Sequence, residues 1–295
     1  MQLTRKGTLR HSPLRSIDTE ALPNIGAEVR GVDLARDLTP ELGIYLRKLL
    51  VQHQLLVFRR QAISPSIQTR FTKCFGSPES GIRNRPGTHQ VPGFADLLYL
   101  SNEPGSETSD YGLGWHSDGL AYARVSHGIT MLRCLACPTN KGDTMLANQY
   151  IAYAEMPENL RRELDELYWY LPPIPHSEVP EGRGLIHPVV RTHPETGRKF
   201  VFCSPAATRI RGLTTRESER MLCAIRNYQI SRRNVYRHSW QEGDVVVWEN
   251  CTTLHSRADV VDYDKHGLRA MHRSATSGYF AAMECEPPDT DDAVP

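Results

Sequence analysis

From residue 115 onward the chain is a succession of short apolar runs interrupted by glycine and proline, and this pattern constrains the fold most. Ile129–Leu135, Thr144–Ala147, Pro188–Arg191, Lys199–Cys203, Val235–Trp240, Asp244–Trp248 and Leu268–Tyr279 each have the length and the β-branched or aromatic content of a strand. The turn His193–Gly197 joins two of them in a hairpin-like pattern. Many short strands with few helices bury their apolar faces by pairing sheet on sheet or by closing into a barrel. The expected class is therefore mainly β with flanking helices, a sandwich or jelly roll. A doubly wound nucleotide-binding sheet is excluded, because neither GxGxxG nor GxxxxGK[ST] occurs.

The first third of the chain supplies the flanking helices. Residues 1–24 read as a loosely structured arm, followed by a short strand over Val29–Leu34. Thr39-Pro40 offers an N-cap and a first-turn proline, and Leu42, Leu46, Leu49 and Leu50 recur at helical spacing. Leu55–Phe58 is continuously apolar, as a buried strand is, and a second helix runs from Ser64-Pro65 to Gly76 with Ile67, Phe71 and Cys74 on one side. Residues 77–114 are rich in Gly, Pro, Ser and Asn, and a loop of that length in a compact domain reads as an active-site lid. Two later helices are expected over 157–167 and 214–228, the second opened by the capping box Thr214-x-x-Glu217. Residues 25–282 then form one domain, and 283–295 a flexible tail.

Composition narrows the partners. The chain has 295 residues, 39% of them hydrophobic and 23% charged, enough to bury a sizeable core. It has no run of about 20 apolar residues that could span a membrane, and Met1–Lys6 leads into no apolar signal segment, so a cytoplasmic protein is expected. A net charge of +1 excludes nucleic-acid or anionic-membrane binding by bulk charge and leaves a small-molecule partner, with a homo-oligomer left open. Seven cysteines in such a chain read as free thiols. Cys134-x-x-Cys137 falls at the end of an expected strand, where a spacing of three would point the two thiols to opposite faces and spoil a metal clamp.

The residues able to carry chemistry begin with Trp115-His116-Ser117-Asp118. On a strand, His116 and Asp118 point to the same side, giving an imidazole and a carboxylate two corners of a facial metal triad. His255, just past the apolar run ending at Trp248, can supply the third corner. Arg269 and Arg273, four apart on the last strand, share a face, and a guanidinium inside a barrel is costly unless it binds an anion.

These residues, in this order, resemble the taurine dioxygenase (TauD/TfdA) family of iron(II)- and 2-oxoglutarate-dependent oxygenases. The similarity extends to Gly142-Asp143-Thr144, to His187-Pro188-Val189-Val190-Arg191-Thr192-His193-Pro194 with Gly197, to Gly243-Asp244 through Trp248, and to Met271–Thr276, so that it covers roughly residues 25–280. The resemblance implies a double-stranded β-helix, or jelly roll, with His116, Asp118 and His255 as iron ligands. It further implies that Thr144 and Arg269 hold the distal carboxylate of 2-oxoglutarate and that Arg273 lies beside cosubstrate and substrate. The implied cofactors are Fe(II), 2-oxoglutarate and O2. The implied reaction is oxidative decarboxylation of 2-oxoglutarate to succinate and CO2, coupled to hydroxylation or desaturation of a C–H bond. Asp118 keeps the carboxylate that halogenating relatives replace, which favours oxidation over halogenation.

Substrate residues are the least determined. Glu79 and Gly112 stand where the taurine enzyme carries a histidine and an asparagine, a departure that points away from taurine. Glu79 and Asn102 could face an amine or amide and Arg273 a carboxylate, which makes an amino-acid-like or carboxylate-bearing substrate the expectation. His53, His127 and His238 have no partner spacing and read as structural or exposed, and Trp169, Trp240 and Trp248 as core aromatics. Two other readings use the same scaffold: a metal-dependent hydrolase or isomerase, and a non-catalytic jelly-roll binding module. Arg269 with Thr144 discriminates against the first, and an intact triad against the second, because unpaired polar groups in a barrel are costly.

Overall fold

A computed structural model describes residues 17–79, 89–106, 111–120, 123, 125–172 and 183–287. In chain order, β1 (Asp18–Ala21) and β2 (Ala27–Arg30) precede α1 (Pro40–His53), β3 (Leu55–Phe58), α2 (Pro65–Thr72), β4 (His89–Val91) and β5 (Phe94–Ser101). Then come β6 (Val125–Ala136), β7 (Thr144–Asn148), α3 (Gln149–Glu155), α4 (Glu158–Leu164), β8 (Tyr168–Leu171), β9 (Gly184–Pro188), β10 (Val190–Thr192), β11 (Lys199–Val201) and β12 (Arg209–Ile210). The last part holds α5 (Thr215–Gln229), β13 (Val235–His238), β14 (Val245–Glu249), β15 (Thr253–Arg257), α6 (Tyr263–His266), β16 (Ala270–Ala281) and β17 (Met283–Cys285).

An eight-stranded sheet, ordered β1-β2-β3-β14-β6-β16-β5-β4, is the backbone of the molecule, and a three-stranded sheet β13-β7-β15 accompanies it. Alternation sorts the side chains of the large sheet. Leu56, Phe58, Ile129, Met131, Val245 and Val247 pack against Leu42, Leu46 and Leu50 of α1 and Phe71 of α2. The intervening Leu55, Val57, Leu132, Cys134, Val246, Trp248 and Met271 face inward and cluster with Leu146 of the small sheet and with Trp240. Both faces of β14 are thus covered, which is why Val-Val-Val-Trp-Glu is buried throughout. A third core forms where Trp169, Phe200 and Phe202 pack with Ile225 of α5. This is the mainly β, jelly-roll architecture that the strand pattern predicts. No helix among the described residues is long and apolar enough to cross a membrane.

The structure corrects several boundaries. Part of the expected arm is ordered: Asp18–Ala21 pairs antiparallel with β2 at the sheet edge, while residues 1–16 lie outside the described residues. The expected lid contains a core strand, since β5 pairs with β16 from Ala270↔Ser101 to Arg273↔Leu98; residues 80–88 and 107–110 of that segment are outside the description. The expected tail begins with β17, which pairs with β9, and 288–295 are not described. The helix read over 157–167 is the shorter α4, and α3 before it was not expected; Asn148 caps α3 by accepting from the amides of Tyr150 and Ile151. Cys137 lies beyond the end of β6 at Ala136, so strand alternation does not apply and its thiol comes within hydrogen-bonding reach of Cys134. Burial raises both thiols, which keeps them protonated and unreactive.

Candidate active site

His116 and His255 are directly opposed residues of a single antiparallel bridge, exchanging backbone hydrogen bonds of 2.9 and 2.8 Å. Opposed residues project to one side, and the two imidazole centroids lie 4.3 Å apart. His255 sits on β15 of the small sheet, reached from β14 of the large sheet by a tight turn, so the chain carries it from one layer to the other. Asp118 does not share a strand with His116, contrary to the expectation from the HxD spacing. A turn delivers it, and Asn250 fixes that turn by accepting from the Asp118 amide at 2.9 Å and donating to its carbonyl at 2.8 Å. The carboxylate also accepts from Thr130 Oγ1 at 2.7 Å.

The result is a group in which the ligand atoms of His116, Asp118 and His255 all lie within 4.8 Å of one another. Nε2 of His255 is 3.4 Å from Asp118 Oδ2, and Nε2 of His116 is 3.9 Å from Oδ1. His116 donates from Nδ1 to the Gly114 carbonyl at 2.8 Å, so its proton is committed there and the Nε2 lone pair faces the carboxylate. Burial, and then the neighbouring His255, push His116 down to about 4, so it is neutral at pH 7. Burial alone would raise the Asp118 carboxyl, but Arg273 and the two histidines hold it well below the usual carboxylate range. Two imidazole nitrogens and one carboxylate converging within ligand distance fit a divalent transition metal.

Beside this group lie Arg269 and Thr144, the residues expected to hold an anion. Arg269 is buried, donates from Nε to the Gly142 carbonyl at 3.1 Å, and forms no ion pair with a carboxylate among the described residues. Burial, and next the charge of Arg257, lower it to about 10, so it remains a cation in want of an anion. Thr144 accepts from Trp240 Nε1 at 3.0 Å, which leaves its hydroxyl proton free to donate to a carboxylate. Arg257 stands directly opposite Thr144 in the β7–β15 pairing, two residues from His255 and on its face. Sequence reasoning missed this second guanidinium; its spacing from His255 was the available signal. Asn250 and Thr130 were missed as well, and they hold Asp118 in place.

Arg273, on the inner face of β16, places Nη2 3.1 Å from Asp118 Oδ2. Asn102 does not face that site. Its side-chain nitrogen donates to the carbonyls of Val261 and Gly267, both at 3.0 Å, and its oxygen accepts from the Arg269 amide at 2.7 Å. It is a positioning residue for Arg269, with its side-chain groups spent on backbone and not turned to substrate as expected. Glu79 pairs with His127, whose Nδ1 lies 2.6 Å from Oε2, so His127 does have a partner. The HPVVRTHP stretch builds scaffold: His187 stacks on Trp169 with centroids 4.7 Å apart, Arg191 lies 4.9 Å from the Phe202 ring, and His193 contacts Glu249 at 2.9 Å.

Comparison with known proteins gives the family. A profile of the Taurine catabolism dioxygenase TauD, TfdA family matches residues 18–275. The chain belongs to the TauD/TfdA family. Among its relatives are an alpha-ketoglutarate-dependent sulfate ester dioxygenase of Pseudomonas putida, 30% identical over 80% of this chain and 81% of that protein, and an alpha-ketoglutarate-dependent 2,4-dichlorophenoxyacetate dioxygenase of Cupriavidus pinatubonensis, 28% identical over 86% of this chain and 95% of that protein. A crystal structure of a taurine dioxygenase from Burkholderia xenovorans superposes with a TM-score of 0.79 at 28% identity, covering 92% of this chain and 97% of that one. As a TauD/TfdA member the chain is a non-haem iron(II)- and 2-oxoglutarate-dependent dioxygenase, with O2 as co-reactant.

Proposed function

We propose that His116, Asp118 and His255 hold the iron, that Arg269 and Thr144 bind the distal carboxylate of 2-oxoglutarate with Arg257 adding charge, and that the substrate is a small molecule with an anionic group directed at Arg273. The carrying observation is the juxtaposition itself: three metal-ligand atoms within 4.8 Å of one another, with the buried Arg269 lacking an ion-pair partner among the described residues. Bound iron supplies the oxidising chemistry. The chain orients the cosubstrate by charge-assisted hydrogen bonds, keeps His116 neutral, and holds Asp118 ionised.

The relatives named above are named for sulfate esters, an aryloxyacetate and taurine, each carrying an anionic group. Arg273 on the inner face of β16 supports an anionic substrate here too. The product is a hydroxylated or desaturated form of it, with succinate and CO2 released. Anaerobic addition of Fe(II) with 2-oxoglutarate should raise the melting temperature, because both bind the native state alone. Mass spectrometry of a cell extract incubated with enzyme, Fe(II), 2-oxoglutarate and air should then reveal a substrate whose mass changes only when 2-oxoglutarate is present. No thermal shift at millimolar 2-oxoglutarate would overturn the assignment.

A further inference from the structure

His127 and Thr130 are three residues apart on β6, a spacing that on a regular strand puts side chains on opposite faces. Here they share one. β16 pairs Ala275 with Thr130 and Ser277 with His127, so two residues of β6 oppose one of β16 and the strand bulges at Gly128 and Ile129. The bulge needs glycine, since a Cβ at Gly128 would come 2.5 Å from the Ser277 carbonyl oxygen and 3.0 Å from Thr276 Oγ1. Thr130 faces inward, because its hydroxyl reaches Asp118. Along β16, Arg273 reaches the same carboxylate, and Ala275 and Ser277 follow it at a period of two. His127, directly opposite Ser277, therefore lies on the inner face as well.

Other contacts agree. Asn250 donates to the carbonyls of both Asp118 and His127, at 2.8 and 3.1 Å. A Cβ at Gly119, the residue after Asp118, would lie 3.2 Å from the His127 ring. Glu79 enters from the opposite side of β16, its amide donating to the Ala275 carbonyl at 2.9 Å. It reaches across β16 to His127, where one carboxylate oxygen is held at 2.6 Å. The other, Oε1, is hydrogen-bonded by no described residue, and the Glu79 side chain keeps 21% of its surface exposed.

We propose that Glu79, anchored by His127, is a specificity-determining residue that receives a hydrogen-bond-donating cationic group, an ammonium, at the end of the substrate remote from Arg273. This inference rests on the dioxygenase reading and deepens it: the substrate is zwitterionic, with its anion at Arg273 and its cation at Glu79. An anion held by an imidazole on one oxygen keeps the second for a donor, and partial burial strengthens that bond. The same carboxylate repels a second anionic group, so dianionic substrates are rejected.

The test is calorimetric titration, without oxygen, of protein loaded with Fe(II) and 2-oxoglutarate. The ligands are linear ω-aminocarboxylates and n-alkyl carboxylates of matched length, in a four- to eight-carbon series. The wild type should bind the best ammonium-bearing member about tenfold or more tightly than its alkyl counterpart, and Glu79→Gln should bring the pair within about threefold. His127→Gln, which frees the carboxylate to rotate, should weaken the preference while retaining part of it. Equal binding of the two series by the wild type, or an undiminished preference in Glu79→Gln, overturns the inference while uptake of iron and cosubstrate leaves the dioxygenase reading standing. Failure of the wild type to take up iron and 2-oxoglutarate overturns both.

Discussion

Among the described residues two groups of histidine and acid come within ligand distance, His116–Asp118–His255 and His193–Glu249–Cys251, each with its ligand atoms within 4.8 Å. They differ in what is left over once internal hydrogen bonds are made. His193 accepts on Nδ1 from the amides of Glu195 and Thr196, at 3.2 and 3.3 Å, so its proton sits on Nε2 and is spent on Glu249 at 2.9 Å. Glu249 accepts further from Thr252 at 3.2 Å, and burial, with the charge of Glu249, raises the Cys251 thiol well above its ordinary value. The His193 ring has no lone pair left for an ion, and the thiol stays protonated. In the first group the His116 proton is turned outward to Gly114, and the inward nitrogens face a carboxylate that already carries its charge. Residue type is similar in the two groups; hydrogen-bond completion separates the group proposed to hold the metal from a clamp.

The largest effect that would break this contrast is on activity. Asp118→Ala should abolish succinate formation and strip the bound metal, a loss exceeding the roughly 10–100-fold that changes to outer-shell partners cause. His193→Ala should leave one metal ion per chain and normal 2-oxoglutarate affinity, but cost about 3 kcal/mol of stability by leaving the buried Glu249 charge short of a donor. Metal analysis and urea unfolding on both variants decide the matter. Metal retained in Asp118→Ala, or lost in His193→Ala, would reverse the assignment.

The same contrast explains what the amino-acid sequence disclosed. His116, Asp118, His255, Arg269 and Arg273 were legible because a metal triad and a buried guanidinium demand rare residue types in a set order. Asp118 reaches His116 through a turn held by Asn250 and not through the strand alternation that the HxD spacing suggests. Arg257 could have been read from its two-residue spacing from His255, whereas Asn250 and Thr130 were not legible, since each matters through a partner more than 10 positions away and pairing register is not written locally. β5 was hidden for the same reason. Its surroundings have turn composition, and it becomes a core strand only by pairing with β16. Asn102, expected at the substrate, is instead consumed by backbone groups of the segment that carries Arg269.

That reassignment gives the next test. Arg269→Gln removes the charge proposed to hold the distal carboxylate and should raise the KM for 2-oxoglutarate by about 30–100-fold. Asn102→Ala leaves the guanidinium in place but frees its backbone, and should raise the same KM by a smaller factor, about 3–10-fold, with kcat changed less. An Asn102→Ala enzyme altered in substrate KM alone would return Asn102 to the substrate. Initial-rate measurements of succinate, varying each reactant in turn, separate the two.

The smallest effect concerns a fourth histidine, which belongs to neither group. His187 is buried against Trp169, neither ring nitrogen has a hydrogen-bond partner among the described residues, and burial, helped by nearby Arg191, pushes it down to about 3. Its neutral form is favoured in the fold and its ordinary value is 6.5. The unfolded chain therefore binds the extra proton in the window between, so His187 contributes its full stability above about pH 6.5 and loses it as pH falls toward 3. Over the two units from pH 7 to about pH 5, this one residue should cost on the order of 2 kcal/mol. His187→Phe keeps the stack, removes two unsatisfied nitrogens and cannot titrate. It should be within about 1.5 kcal/mol of wild type at neutral pH and should show a shallower acid limb in urea unfolding followed across pH. Parallel limbs in the two proteins would mean that His187 finds a proton partner in the native state, and that a buried imidazole here is governed by something other than the completion of its hydrogen bonds.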